Sequence, residues 1–454
     1  MRIYGENDAL ARLGEGRLKI AAVALGCPKN TADLELMLGA GFAQGVSIVP
    51  RLEDADVAVI NTCSFLAEAI AESEGEIAQA LRLKRQGKLA RVVVTGCYPA
   101  YLRNENMKPP EGVDAVLAPN EGWQLQVLLR EWFADKLQQA SAQEARMLTT
   151  PRSVAYVKIA EGCDMQCSFC IIPSLRGPYC SRRVAEILDE AQALLAAGVK
   201  ELNLVSQDST DFGKDTGSSL EELLIALCAL PGEFWVRVQY LYPAKMRHSL
   251  LNVFAAHQQK LIPYFDLPIQ HFADGVLKRM RRGESQAMVV KLFADVHGML
   301  PGASINANVI VGFPGETEDE FAELLRFVEE GNIDRLGVFT YSEMPGSLSF
   351  ALGNKVAAEL ALERKERLML AQQQVSLAKH NALVGTEQLV LIDARKNVQG
   401  KRIHIGRTYR DAYDVNGTVI VRGAPAGLEP GVFINARIVE ALPYDLLADY
   451  IPNG

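Results

Sequence analysis

The chain has 454 residues, 49% of them hydrophobic and 22% charged, with a formal net charge of −8. Such a length buries a core without disulfide support and suggests roughly three domains, and the acidic balance speaks against a general nucleic-acid binder while suiting a basic protein partner. The start "MRIYGENDAL" lacks a secretory apolar stretch, no run of about 18 apolar residues appears, and eight cysteines are too few for a disulfide scaffold, so a reducing, cytoplasmic setting without a membrane is expected and metal binding is the better use of the thiols.

The first unit, residues 18–137, contains three apolar, β-branched runs, "LKIAAVAL", "ADVAVINT" and "ARVVVTG". Each is short and followed by turn and helix signals, as buried parallel strands are. After the second run comes a helical stretch that Ser64 can cap and Gly87 can end. Cys27, Cys63 and Cys97 each sit just past the carboxyl end of one run. In an open parallel sheet those ends share one edge, where ligands bind. A shared metal site is therefore favoured over three unrelated core cysteines.

The polar stretch "LQQASAQEARMLTT" reads as a helix end and linker. The second unit, residues 150–382, offers six strands: "VAYVKI", "ELNLVS", "FWVRVQ", "PYFDLP", "SINANVIV" and "RLGVFT". Helical patterns separate them, one opened by a Thr317/Glu320 capping box. Alternating strands and helices in this length suit a partial βα barrel, whose chemistry collects at the carboxyl ends of its strands. Those ends carry, in order, Cys163, Cys167 and Cys170; Gln207 and Asp208; Tyr240 and Tyr242; Gln270 and His271; "GFPGET" from Gly312 to Thr317; and Tyr341 with Ser342. Gln207 and Asp208 are candidates to touch a cofactor, although Asp208 is nearly as good a helix cap. His271 either touches substrate or closes a loop. Cys180 and Cys228 read as structural thiols, and the charge run "RMRRG" reads as a solvated helix end. A long helix closed by Gly385 leads to the third unit, residues 383–447. Its short alternating runs and glycine turns predict a small all-β barrel.

Three thiolates from "EGCDMQCSFC" can hold three irons of a cubane and leave the fourth open to a small chelating molecule. A structural zinc site would need a fourth ligand, and His248, His257 and His271 follow no finger spacing. An electron-transfer cluster would need a fourth cysteine, which Cys180 or Cys228 could supply, and a redox pair would use CxxC alone. The spacing, the place after the first barrel strand and Phe169 before the last cysteine favour the open cluster.

CxxxCxxC after the first strand of a partial barrel resembles the radical S-adenosylmethionine superfamily, and "GFPGET" resembles that superfamily's adenine-side motif. With Cys27, Cys63 and Cys97 upstream and a small β barrel behind, the chain from Leu18 to Leu447 resembles the methylthiotransferase family. That family joins an N-terminal cluster domain, a radical barrel and a TRAM domain. The resemblance implies two 4Fe-4S clusters, one on Cys163, Cys167 and Cys170 and the other on Cys27, Cys63 and Cys97. It implies S-adenosylmethionine at the first cluster, beside Phe169, Gln207, Asp208, Gly312, Phe313, Pro314 and Gly315. One-electron cleavage there would yield methionine and a 5′-deoxyadenosyl radical that abstracts hydrogen from substrate carbon. The second cluster would carry sulfur, and a second S-adenosylmethionine the methyl group. An electron donor such as flavodoxin or ferredoxin and a sulfur donor are implied partners. No catalytic residue beyond the cysteines is assigned.

"ALGCPKN" and "FDLPIQH" resemble the branch that modifies the β carbon of an aspartate in ribosomal protein S-twelve, and "GRTYRDAYDVNGTVIV" resembles that branch's TRAM segment. The branch that modifies tRNA adenosine usually has Gln-Met where this chain has Pro28 and Lys29. The third unit carries eight basic and seven acidic residues, a net of +1. An RNA-gripping module is normally more basic, which favours the protein target, while Arg395, Lys396, Lys401 and Arg402 leave room for a local RNA contact. The rival of another class is a non-enzymatic iron–sulfur or zinc protein.

Overall fold

The computed structural model describes residues 18–42, 45–137, 146–398 and 401–452. The expectations for the first residues and for the middle of the linker, 138–145, lie outside them.

The N-terminal unit holds β1 (Leu18–Ala24), α1 (Pro28–Phe42), β2 (Val46–Ile48), β3 (Val57–Thr62), α2 (Ala67–Arg85), β4 (Arg91–Gly96), α3 (Cys97–Asn104), β5 (Ala115–Leu117) and α4 (Gln124–Phe133). Its five strands pair in the order β2-β1-β3-β4-β5, all parallel. The central runs are apolar on both faces because both faces are covered. Leu34, Leu38, Leu125 and Leu129 pack from α1 and α4 on one side. Ile77, Ala80 and Leu81 of α2 and Leu102 of α3 pack on the other. The expected role of Ser64 fails: α2 starts at Ala67 after Leu66, and the Ser64 hydroxyl is buried with no hydrogen-bond partner among the described residues. Gly87 does end the helix, at φ +74° with its N–H on Lys84 O.

The second unit runs β6 (Val154–Lys158), β7 (Ala160–Glu161), α5 (Ile172–Arg176), β8 (Cys180–Ser181), α6 (Val184–Ala196), β9 (Glu201–Val205), α7 (Leu220–Ala229), β10 (Trp235–Val238), α8 (His248–Ala256), β11 (Tyr264–Gln270), α9 (Asp274–Arg279), α10 (Gln286–Met299), β12 (Ser304–Val311), α11 (Glu318–Glu329), β13 (Arg335–Thr340) and α12 (Ala358–Asn381). β6, β9 and β10 form one parallel sheet and β11, β12 and β13 another. A bridge from Val236 to Leu261 and the bond from Leu241 N to Asp266 O join the two, giving a six-stranded partial barrel. One continuous core lies between its strands and the outer helices. Thr317 and Glu320 form the expected capping box on α11. The long helix ends at Asn381, before Gly385, which turns the chain into the third unit with φ +86°.

That unit is a closed barrel, β14 (Glu387–Val398), β15 (Lys401–Arg407), β16 (Val419–Arg422), β17 (Phe433–Ala441) and β18 (Leu446–Ile451), in the order β14-β15-β16-β18-β17. It seals the amino ends of the radical-barrel strands. Arg407 pairs with Glu201 at 2.8 Å and with Asp393 at 2.7 Å. Arg237 donates to Tyr409 O and Asp411 O, and Arg335 pairs with Asp411 at 2.8 Å. Burial alone would raise the Glu201 carboxyl, but Arg407 and Arg237 outweigh it and hold it at about 2. The carboxyl ends of the strands are left for chemistry.

Candidate active site

The loop from Gly162 to Tyr179 leaves β7 and returns in β8, and the antiparallel pair Ala160↔Ser181 and Glu161↔Cys180 closes it. Gly162 has φ +77°, and a Cβ there would fall 2.0 Å from Pro178 O, so the crossing admits only glycine. Within the loop Cys163 N donates to Gly177 O and Cys170 N to Cys167 O. All three sulfurs accept hydrogen bonds: Met165 N on Cys163 and Ile172 N on Cys170, both at 3.4 Å, and Arg282 Nη1 on Cys167 at 3.6 Å. The three cysteines line an open cavity of roughly 390 Å³ with Asp164, Ser174 and Leu348. Burial pushes the Cys170 thiol up to about 12, against the Ile172 amide, and raises Cys163 as well. Such thiols ionise when a metal displaces the proton.

Cys27, Cys63 and Cys97 follow β1, β3 and β4, whose ends lie side by side through Ala24↔Asn61 and Thr62↔Gly96. The approach is close. A Cβ on Gly26 would stand 2.8 Å from Cys63 Cβ and 3.1 Å from its sulfur, and one on Gly96 would stand 2.4 Å from Thr62 O. Asn30 ties the edge together, donating to Leu25 O and Thr62 O at 2.9 Å each. Ser73 holds the Cys63 backbone, accepting from its N–H at 3.1 Å and donating to its carbonyl at 2.9 Å. Burial, reinforced by Cys27 and Cys97, pushes the Cys63 thiol up to about 12 despite its bond from the Phe65 backbone and the nearby Arg176 charge.

The two sets are joined by α5, which begins two residues after Cys170. Ile171 and Leu175 pack on Cys97 and Ala100. Arg176, buried, donates to Cys97 Sγ at 3.4 Å and pairs with Asp33 at 3.1 Å and Glu161 at 3.0 Å. Among the described residues no three His, Cys, Asp or Glu side chains could hold a single metal ion. A cubane asks instead for thiols around a volume, each on a different iron. Three thiols at each set are the donor chemistry that such a cluster takes from a protein.

Three family profiles match in series: Uncharacterized protein family UPF0004 at residues 19–118, the Radical SAM superfamily at 157–328 and the TRAM domain at 384–451. Over 445 residues, covering 96% of this chain and 98% of the relative, the chain is 38% identical to the ribosomal protein uS12 methylthiotransferase RimO of Geotalea uraniireducens (strain Rf4). It is 39% identical over 431 residues to the RimO of Aquifex aeolicus (strain VF5), covering 94% of this chain and 96% of that one. The chain belongs to the RimO family. Two structures of the radical S-adenosylmethionine methyltransferase TsrM from Kitasatospora setae share the fold, with TM-scores of 0.51 and 0.53 at 12% and 13% identity; each covers 85% of this chain, and 81% and 79% of TsrM. Membership brings a radical S-adenosylmethionine domain with its 4Fe-4S cluster and S-adenosylmethionine.

The other expected cofactor residues of this RimO-family chain gather around the radical loop. Phe169 packs on Ala273, Val276, Met280 and the buried Phe313, which meets Tyr341 edge-on at 5.3 Å. Gly312 and Gly315 take φ +75° and +76°, and a Cβ on Gly312 would lie 2.5 Å from Ala361 Cβ. Pro314 is buried, and the N–H groups of Gly312 and Phe313 are already bound by Glu316. The motif thus presents an apolar wall, with these two amides taken. Gln207 donates to Glu161 at 2.8 Å, and its Oε1 is buried without a partner among the described residues. Asp208 acts as the cap, accepting from Thr210 N, and pairs with Lys245 at 2.6 Å.

His271 closes a loop: it is buried, accepts from Ala273 N and lies 3.5 Å from Glu316. The reading of "RMRRG" as a solvated end is wrong for two of its arginines. Arg282 turns inward onto Cys167, Glu284 and the Tyr242 ring, and Arg279 binds Glu320 and Gly315 O. Cys228 is half-buried on α7, whereas Cys180 is exposed. Tyr240 and Gln270 hold positive φ, +59° and +65°, at the strand ends that face the site. Arg176, Arg282, Lys29 and Lys245 were not singled out as site residues. Lys29 and Arg176 at least lie beside cysteine-bearing turns, whereas Lys245 and Arg282 lie far from any cysteine in sequence.

Proposed function

We propose that this chain methylthiolates the β carbon of an aspartate in ribosomal protein uS12, in the cytoplasm, using two 4Fe-4S clusters and two molecules of S-adenosylmethionine. The observation that carries this reading is two sets of three thiols, each at the carboxyl edge of a parallel sheet, bridged by α5 and Arg176. When bound, these groups supply one-electron cleavage of a sulfonium, hydrogen abstraction from carbon, and the transferred sulfur and methyl. Cys163, Cys167 and Cys170 would hold the first cluster and Cys27, Cys63 and Cys97 the second, which would leave one corner of each without a protein ligand. The amide and arginine donors on the sulfurs would favour the thiolates and steady the added negative charge of a reduced cluster. Phe169 and Tyr341, backed by the buried Phe313, would offer an apolar face to the cofactor, and Gln207 Oε1 an acceptor with no partner among the described residues. An electron donor of the flavodoxin or ferredoxin type and a sulfur donor complete the reaction.

The TRAM barrel supports a protein target. Its near-neutral charge balance, eight basic against seven acidic residues, gives RNA phosphates little to hold, and Arg395 already faces Glu429 at 2.9 Å. The test is mass spectrometry of ribosomal proteins and tRNA from a deletion strain, with and without this chain. Restoration of a methylthio group on uS12 supports the reading. Restoration on tRNA alone, with uS12 unchanged, overturns it.

A further inference from the structure

Inside the barrel the strand faces alternate. Leu202 and Leu204 of β9, Val309 and Val311 of β12 and Val338 of β13 belong to the core beneath the helices. Asn203, Val205, Asn308, Ile310 and Phe339 therefore face the lumen. Asn308 and Ile310 are half-buried and Phe339 is 44% exposed, so the lumen opens along β13. Near β9 and β10 it is covered by the first turns of α1, where Ala32 packs on Tyr156, Val205 and Tyr240.

Lys29 reaches in from that turn, two residues after Cys27, and is only 7% exposed. Its Nζ donates to Ser206 O at 3.2 Å and lies 3.6 Å from the centre of the Tyr240 ring. Among the described residues it forms no ion pair. Asp266, whose carboxyl feels the Lys29 charge, is committed elsewhere, accepting from Tyr240 N at 2.9 Å and Asn306 Nδ2 at 3.0 Å. Further down the same wall, fully buried Asn203 has neither its Nδ2 nor its Oδ1 bonded among the described residues. A carbonyl and an aromatic face stabilise a buried ammonium only in part; an arriving anion completes it.

We propose that Lys29 receives the side-chain carboxylate of the substrate aspartate in this lumen, beside the Cys27 set, and so selects aspartate over its amide. The assignment rests on the uS12 reading above and makes Lys29 a specificity residue.

The test uses anaerobically loaded enzyme with uS12 and with a uS12 variant carrying Asn at the target position. Wild type is expected to bind the Asp form about tenfold more tightly. Lys29→Gln should bring the two forms within about twofold of each other and lower kcat/KM on the Asp form about 100-fold, with iron and sulfide content unchanged. Lys29→Arg should restore the preference. A Lys29→Gln enzyme that keeps the Asp preference, or that loses both forms equally, overturns the assignment, as does a fully loaded Lys29→Arg that restores nothing. If Lys29→Gln does not load iron, a wild-type preference below about twofold overturns it without any variant. Wild-type enzyme that modifies tRNA and leaves uS12 untouched overturns the functional reading itself, a result distinct from all of these.

Discussion

The two cysteine sets are built in opposite ways. Cys163, Cys167 and Cys170 come from one loop whose ends are clamped by β7 and β8, so their geometry is local. Cys27, Cys63 and Cys97 come from three strand ends far apart in sequence, brought together by parallel register. Each set has one buried arginine on one sulfur, but the sources differ. Arg282 on Cys167 belongs to the same barrel, whereas Arg176 on Cys97 reaches across from the barrel to the N-terminal sheet. The loop set is thus complete within its own unit, while the sheet-edge set depends on the docking of another.

The sharpest break in this comparison is to remove one ligand from each. Cys163→Ala should abolish 5′-deoxyadenosine formation, a loss of at least about 1,000-fold, measured anaerobically with reductant and S-adenosylmethionine. Cys63→Ala should retain measurable cleavage while stopping sulfur insertion, read as iron per chain and as methylthio product. Equal loss of both activities in both variants contradicts two separate clusters. Next in size is Gly162→Ala. The added methyl has no room beside Pro178 O, and φ +77° disfavours any side chain. Iron should fall at the loop set while Cys27, Cys63 and Cys97 keep theirs, seen as half-loading in iron and sulfide counts.

Arg176→Gln should act in the reverse sense and more weakly. It removes the donor on Cys97 and one of the two cations that Asp33 and Glu161 share. Removing one partner from a buried pair costs about 3–5 kcal/mol, part of which Lys158 relieves through its own bonds to both acids. The sheet-edge cluster should load less and shift its reduction potential, with S-adenosylmethionine cleavage changed less than sulfur insertion. An unchanged potential with full loading would show that the crossing arginine is incidental.

The same contrast explains what could be read from the chain without coordinates. CxxxCxxC declares itself by spacing, and the dispersed thiols declare themselves because each follows a β-branched run. The six barrel strands were legible because apolar residues fill them; β2 and β5, three residues each, are too short to show a pattern. Ser64 looked like a cap because it precedes a helical run, but a cap is defined by backbone angles, and Leu66 holds that place. Arg282 was invisible for another reason: a charge beside two other charges looks solvated until tertiary packing turns it inward. Lys29 and Arg176 depend on which unit lies against which, and spacing along one chain does not carry that information.

The smallest effect concerns a side-chain brace on the sheet-edge set. Cys63 lies between β3 and α2, and Ser73 of α2 bonds both its N–H and its carbonyl. The loop set closes on its own backbone, through Cys163 N to Gly177 O and Cys170 N to Cys167 O, and on its own barrel, through Ser168 to Arg279 O and Met280 O. Ser73 is fully buried, so Ser73→Ala leaves two polar groups unpaired with little access to water. About 1–3 kcal/mol of local stability should be lost. Global unfolding by denaturant should shift only modestly, because the parallel sheet remains, while iron at the sheet-edge set should become easier to remove by chelation than in wild type. Iron on Cys163, Cys167 and Cys170 should leave at the wild-type rate. Equal acceleration at both sets would mean that they share one opening motion, and the division between a self-contained loop and an edge braced from outside would not hold.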